Sequence, residues 1–412
     1  MTGEPVAAQR ARARDIGLIP GTLAPGPVNA ITDVPGVRVG HTTLIEGNDI
    51  RTGVTAIVHD ALVGRGAGQR TLPAGLAVYN GFGKIVGTTQ VAELGTIETP
   101  VLLTSTLSVF RVADALLTYM RTLPGYAEIV TLNPVVAETN DSYLSDIWAR
   151  PITVEHVRTA VENAAAGPVA EGCVGAGTGT RALGFKAGIG TSSRRFALNT
   201  GQAITVGALV QANFGGVLTV QGVRVPVPAD AGTGRPVLDS NHVPAPADAG
   251  TGTPVLDSNR VPAPADAGTG TPVLDSNRVH GTPDSSEQAG NSCVIVLATD
   301  AQLDSRQLER VANRAFAAMA RVGSDFSGHS GDYALAVSTA IGRDREGEHY
   351  PVPQKDLDLI FLAAMEASEE AILNSLFMAV TTTGHGGHVS HAVRLDYVQR
   401  LVSGRSANPS AS

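Results

Sequence analysis

Cysteine is nearly absent from the chain. Cys173 and Cys293 are the only two in 412 residues, so a disulfide framework is excluded and a reducing compartment, by default the cytoplasm, is expected. Aromatic residues are also scarce, at 4%, whereas glycine occurs 47 times; this balance points to tight turns between many strands and to elements packed at close range. There is no basic surface to recruit nucleic acid: acidic residues outnumber basic ones, the net charge is -8, and Lys and Arg nowhere gather into a stripe. A polyanionic substrate is not expected either. No apolar run approaches the roughly 18 residues of a membrane span, and the opening "MTGEPVAAQRARARDIGLIPG" has basic residues without a following apolar stretch. These features predict neither membrane insertion nor an export signal. With 43% hydrophobic residues the chain can bury one large core or two smaller ones.

Short β-like runs punctuated by turns fill the first hundred residues: "GVRVGHTTLI", "GVTAIVHD", "GLAVYNGFGKIVGTTQV" and "TPVLLTST". Helical spacing follows in "SVFRVADALLTYMRT" and "TVEHVRTAVENAAAG", then a Gly-rich stretch, then strands again in "ITVGALVQANFGGVLTVQGVRV". This β-rich, helix-interrupted order suits an α/β layered sandwich better than a regular βαβ winding. Further on, "SCVIVLATD" reads as a strand and "DSRQLERVANRAFAAMARVG" as an amphipathic helix capped by Asp304 or Ser305. "GDYALAVSTA" reads as a half-buried strand, "QKDLDLIFLAAMEASEEAILNSLFMAV" as a long helix, and "SGRSANPSAS" as a disordered tail.

From Pro226 the text repeats every 18 residues, with Asp230, Asp248 and Asp266 marking three near-identical copies over residues 226–279. Such copies could stack as a small solenoid. Each offers only Val and Leu as sizeable apolar residues and is rich in Pro and Gly, which favours a flexible, disordered insert.

Several motifs invite chemistry, and each has a plainer reading. The Gly175–Gly190 stretch resembles a phosphate loop, but Lys186 precedes Ala187 rather than Ser or Thr; tight backbone turns explain it as well. In "GHGGHVSH", His385, His388 and His391 could hold zinc, yet two intervening glycines oppose the helix such spacing needs, and solvated loop histidines are the safer reading. "FSGHSGDY" resembles a nucleophile elbow until Asp332 stands where Gly is required; Ser330 and Asp332 then read as a turn capping the next strand. No metal and no organic cofactor is expected.

The seam at residues 291 and 292 is more informative. Everything before it is small and polar, everything after it is an apolar run, and Ser292 stands alone between the two. A serine that becomes the first residue of a chain owns a nucleophilic hydroxyl and a free α-amine, whose reference pKa of about 7.7 to 8.0 suits a general base near neutral pH. No histidine is then required. To create that terminus the Asn291–Ser292 bond must break, by attack of the Ser292 hydroxyl on the preceding carbonyl and hydrolysis of the resulting ester. The alternative is that Ser292 merely starts a strand, a common place for serine.

The stretch "RARDIGLIPGTLAPGPVNAITDVPGVRVGHTTLIEG", together with "RTGVTAIV", "NPVVAETND", "GFKAGIGTSSR", "VGALVQANFG", "NSCVIVLATDAQL" and "SGDYALAVSTA", resembles the DmpA-type aminopeptidase family. That family includes L-aminopeptidase/D-esterases, β-peptidyl aminopeptidases and nylon-oligomer hydrolases. The likeness runs from about Arg12 to Asp396 and breaks only at the repeats.

The resemblance implies a four-layer αββα sandwich of the N-terminal-nucleophile type, self-cleaved into an α chain (1–291) and a β chain (292–412) that together form one domain. It implies Ser292 as nucleophile and Ser330 with Asp332 as the pair orienting it, Asp standing where several members have Glu. Asn213 is implied as the oxyanion-hole amide, Lys186 as the lysine of the nylon-hydrolase branch, and Glu138 as the acid holding a substrate's free amine. Asn140 falls where some members carry a Tyr that helps the oxyanion. Asn291 replaces a Gly found before the nucleophile in some members. The expected activity is release of N-terminal residues from short peptides, amides or esters, by a homo-oligomer, a tetramer of αβ units by the same likeness. An endo-type amide hydrolase of non-peptide oligomers and an unprocessed binding protein are the alternatives.

Overall fold

A computed structural model describes residues 10–64, 71–227, 292–340 and 352–406. Apart from Pro226 and Val227, the 18-residue repeats lie outside the described residues, as does Asn291. One sheet has the order β1-β2-β6-β7-β4, from β1 (Val37–Glu46), β2 (Ile50–His59), β4 (Ile85–Val86), β6 (Val101–Ser105) and β7 (Val135–Thr139). The other runs β10-β11-β14-β15-β3-β5, from β3 (Leu72–Gly81), β5 (Thr96–Ile97), β10 (Ile189–Ala197), β11 (Ala203–Asn213), β14 (Ser292–Thr299) and β15 (Gly331–Ser338). Its neighbours are antiparallel except β14 and β15, which are parallel. Among the described residues, three short two-stranded pairs complete the strands: β8 (Arg181–Ala182) with β9 (Phe185–Lys186), β12 (Thr219–Val220) with β13 (Val223–Arg224), and β16 (Thr382–Thr383) with β17 (Val389–Ser390).

The helices are α1 (Thr88–Leu94), α2 (Val109–Met120), α3 (Val154–Glu162), α4 (Ser305–Arg321), α5 (Gln354–Phe377) and α6 (Leu395–Ser406). Three apolar clusters separate the elements. One joins α2 and α3 to the first sheet through Val54, Leu102, Val112, Leu116 and Val157. A second lies between the two sheets, where Ile57, Leu103 and Val135 meet Leu209, Val294 and Leu335. The third packs α4 and α5 on the far face of the second sheet.

This placement corrects the half-buried reading of "GDYALAVSTA". All eight residues of β15 are buried. Their alternation is between two cores rather than between core and water: Tyr333, Leu335 and Val337 fill the space between the sheets, while the small Ala334 and Ala336 face the helices. β14 alternates the same way, with Val294 and Val296 toward the first sheet and Cys293, Ile295 and Leu297 toward α4 and α5.

Close approach of helix to sheet depends on glycine. A Cβ at Gly190 would sit 1.9 Å from the Ala371 carbonyl oxygen of α5, and one at Gly75 would sit 2.2 Å from the Glu309 nitrogen of α4. Buried charge secures the same contact: Arg194 of β10 donates to Glu366 at 3.2 Å and to Glu370 at 2.8 Å, both on α5. Removing one partner of such a pair would strand the others, at about 3–5 kcal/mol. Asp304 caps α4 reciprocally, accepting from the Gln307 N–H at 2.7 Å while Gln307 Oε1 accepts from the Asp304 N–H at 3.2 Å.

Two further sequence expectations are corrected. Residues read as β-like around "VGTTQV" form the short α1, bounded by Gly87 and Gly95 in left-handed conformation (φ 88° and 66°). The expected tail is helical as far as Ser406, where α6 ends.

Candidate active site

β14 is an interior strand of its sheet, so its first residue is flanked on both sides. Ser292 is register partner to Asn213, the last residue of β11, and to Gly331, the first of β15. It is 3% exposed. Strand alternation puts it on the face of Val294 and Val296, turned toward the first sheet.

Asn213 reaches in that direction. Its Nδ2 donates to the Asn140 carbonyl at 2.8 Å, just beyond β7, and its Oδ1 accepts from the Arg181 N–H at 3.0 Å. Among the described residues one Nδ2 hydrogen is therefore committed and the other is left for a further acceptor. Asn140 contributes through its backbone carbonyl, and its side-chain Oδ1 accepts from the Ser142 N–H at 3.1 Å.

Ser330 and Asp332, paired by the resemblance, are in contact, the Ser330 hydroxyl donating to Asp332 Oδ1 at 2.7 Å. The second carboxylate oxygen accepts from Asn80 Nδ2 at 2.8 Å, and Asn80 also donates to the Phe326 and Ser327 carbonyls. Burial raises the Asp332 pKa, opposed by the hydrogen bonds from Ser330, Asn80 and the Cys293 N–H. That last bond ties the carboxylate to the backbone one residue from Ser292.

Glu138 lies in β7 and is 2% exposed. Its Oε1 accepts from the Lys84 N–H at 2.9 Å and lies 3.6 Å from Lys84 Nζ, which itself donates to Thr106 Oγ1 at 2.8 Å. Oε2 is buried without a hydrogen-bond partner among the described residues. Burial raises the Glu138 pKa, with the Lys84 charge opposing. A buried carboxylate with an unfilled oxygen is an acceptor in wait of a cation.

Lys186 is fully buried, and its ammonium donates to the carbonyls of Gly177 at 3.1 Å, Thr180 at 2.9 Å and Ala187. All three donors are spent, so the lysine fastens the Gly-rich backbone beside Arg181 and Asn213; burial lowers its pKa. The three C-terminal histidines part company: His385 Nδ1 pairs with Asp49 at 2.8 Å, His388 Nδ1 with the Tyr143 carbonyl at 2.9 Å, and the His391 carbonyl accepts from the Lys186 N–H at 2.7 Å.

Asn80, Lys84 and Asp141 join the site without having been singled out in the sequence. Asn80 sits in "YNGFGK", where Asn-Gly signals only a turn, and its carboxylate partner is 252 residues away. Asp141, next to Asn140, is 1% exposed and accepts from the Ser105 hydroxyl at 2.7 Å.

Comparison with known proteins places the chain in a family. The model of peptidase family S58 matches residues 29–390. The β-peptidyl aminopeptidase BapA of Sphingosinicella microcystinivorans is 38% identical over 398 residues, covering 92% of this chain and 89% of the relative. Among solved structures, the PH0078 protein of Pyrococcus horikoshii OT3 is similar with a TM-score of 0.75 at 36% identity, over 96% of this chain and 99% of that one. The L-aminopeptidase D-Ala-esterase/amidase of Ochrobactrum anthropi, a prototype for serine aminopeptidases and a variant of the Ntn hydrolase fold, gives 0.73 at 32% identity over 96% and 99% of the two chains. The mixed α/β fold is thus similar to that of an Ntn hydrolase, and the chain belongs to peptidase family S58.

Proposed function

We propose that the chain is a self-processing aminopeptidase whose nucleophile is Ser292, made N-terminal by cleavage of the Asn291–Ser292 bond. The observation that carries this reading is the position of Ser292 at the head of an interior strand, between Asn213 and the Ser330–Asp332 pair. The names of the relatives, a β-peptidyl aminopeptidase and an L-aminopeptidase D-Ala-esterase/amidase, support the same activity. The three stacked cores support the finer description of the fold as a four-layer αββα sandwich. Assembly of αβ units into a homo-oligomer belongs to this reading by family likeness.

In processing, Ser292 Oγ attacks the Asn291 carbonyl, the acyl group moves from nitrogen to oxygen, and water hydrolyses the ester. The products are an Asn291 carboxylate and a free Ser292 α-amine. In turnover, that amine takes the hydroxyl proton as Oγ attacks the substrate carbonyl, then gives it to the leaving amine as the C–N bond breaks. The uncommitted Nδ2 hydrogen of Asn213 stabilises the oxyanion, and water completes the cycle by hydrolysing the acyl-enzyme. Asp332, held by Ser330 and Asn80, orients the amine through the adjoining backbone. Glu138 accepts the substrate ammonium on its unfilled oxygen, which makes an amidase into an aminopeptidase. Lys186 and Asn140 act by position, the first by holding the Gly-rich backbone and the second by anchoring Asn213 through its carbonyl.

The test is to measure hydrolysis of one amide with its amine free and acetylated. The free amine should be cleaved and the blocked one spared; equal rates would identify an endo-type amide hydrolase instead.

A further inference from the structure

Beside Glu138 opens a pocket of about 160 Å³ lined by Lys84, Thr106, Leu107, Phe110, Trp148 and Arg150. That is well below the ~300–1,000 Å³ that hold a whole drug-sized ligand, and it suits one side chain. Lys84 and Thr106 belong to both places, since Lys84 Nζ bridges Glu138 and the Thr106 hydroxyl. Phe110 and Trp148 are 63% and 78% exposed, so the only tryptophan of the chain is held in water at the rim rather than in a core. Arg150 Nε is buried with no hydrogen-bond partner among the described residues.

A simple amine meets a conflict here: an ammonium arriving on Glu138 would lie close to the Lys84 ammonium, which stands 3.6 Å from the same carboxylate. A substrate that brings an anion with its ammonium removes this conflict. The Glu138 and Lys84 charges stand 3.6 Å apart, a spacing suited to a head group in which ammonium and carboxylate share one carbon. Such a head group replaces one ion pair by two. The aromatic rims of Phe110 and Trp148 would shield both pairs from water, which strengthens them.

We propose that this pocket selects a leading residue carrying a carboxylate beside its free amine, of which the β-aspartyl residue is the simplest β-amino case. The ammonium pairs with Glu138, and the carboxylate pairs with Lys84, with Arg150 as second donor. Hydrolysis adds water across the following amide bond and releases aspartic acid and the shortened amine. The inference rests on the amine-anchoring role proposed for Glu138.

The experiment compares kcat/KM of the purified full-chain protein on three p-nitroanilides: β-aspartyl, 3-aminobutyryl (methyl in place of carboxylate) and N-acetyl-β-aspartyl. The β-aspartyl amide should lead the 3-aminobutyryl amide by about tenfold or more, the value of one additional charge-assisted contact. Lys84→Met should reverse the order, lowering the carboxylate-bearing substrate and raising the methyl-bearing one several-fold, because its lone ammonium then meets Glu138 without a competing cation. Lys84→Arg, which keeps the charge, should keep the preference and separates loss of charge from loss of fold. If the free amines are cleaved and the acetylated compound is not, but the carboxylate brings no advantage or Lys84→Met slows both substrates equally, the inference alone is overturned. If the acetylated compound is cleaved as fast as its free amine, or none of the three is cleaved, the anchoring role of Glu138 falls and this inference with it.

Discussion

Asp141 should make the folded protein less stable as pH rises. Its side chain is 1% exposed, Oδ1 accepts from the Ser105 hydroxyl, and Oδ2 has no hydrogen-bond partner among the described residues. Burial, with a smaller contribution from the Glu138 charge, raises its pKa to about 6 from 3.8. A carboxyl whose folded pKa is raised contributes a penalty that is absent below the unfolded value, grows through the window between the two and is complete above the folded value. The shift from 3.8 to about 6, at ~1.4 kcal/mol per pKa unit, gives a full penalty of about 3 kcal/mol near pH 8 and about 1 kcal/mol near pH 4.5. Asp141→Asn keeps the acceptor for Ser105 and never ionises, so it should be the more stable protein, by an amount that increases with pH. The figure is an upper value, because the Asp141 charge also favours the Lys186 ammonium. The assay is urea unfolding of the Ser292→Ala protein with and without Asp141→Asn, near pH 4.5 and pH 8. An advantage of Asp141→Asn that does not change with pH, or a loss at the higher pH, would refute the reasoning.

Asn80→Ala removes one of the two side-chain donors that hold Asp332, and a hydrogen bond to a charged group is worth about 1.5–3 kcal/mol, so kcat should drop roughly 10- to 100-fold with little change in KM. Steady-state kinetics decide, and a change confined to KM would contradict a positioning role. In Asp332→Asn the Ser292 ammonium loses a nearby negative charge, so the pKa of the ascending limb of kcat/KM against pH should fall even as the rate drops. A limb that does not move would mean the titrating base is uncoupled from Asp332. Deleting residues 244–279, two of the three repeats, should leave processing and turnover intact, because loop-closure cost changes by only ~0.6 kcal/mol per doubling of length. Loss of solubility or of cleavage after the deletion would argue for a docked, folded insert.

Local chemistry made much of this molecule legible in the sequence. Asp304 or Ser305 announced a helix start, and the break at Ser292 announced the head of an apolar strand, because caps and composition changes act within a few residues. Ser330 and Asp332 read from the motif alone as a turn cap, and it was the family likeness that paired them. What was hidden depends on long-range packing. Nothing near Asn80 shows that it would meet Asp332, and nothing near Lys84 shows that it would lie against Glu138. The burial of β15 was misread because alanines facing α4 look, in one dimension, like the wet side of a strand. Likeness alone points to Lys186 as a site lysine, and only the fold reveals that its three donors are taken by carbonyls.

The central claim is that Ser292 is both the cleavage point and the nucleophile, and intact-mass spectrometry with N-terminal sequencing of the purified protein tests it most directly. The account predicts two polypeptides, the smaller beginning Ser-Cys-Val-Ile-Val, and a single uncleaved, inactive chain for Ser292→Ala. A wild-type protein that is active as one 42.3 kDa chain, or a Ser292→Ala protein that still separates into two, would contradict it.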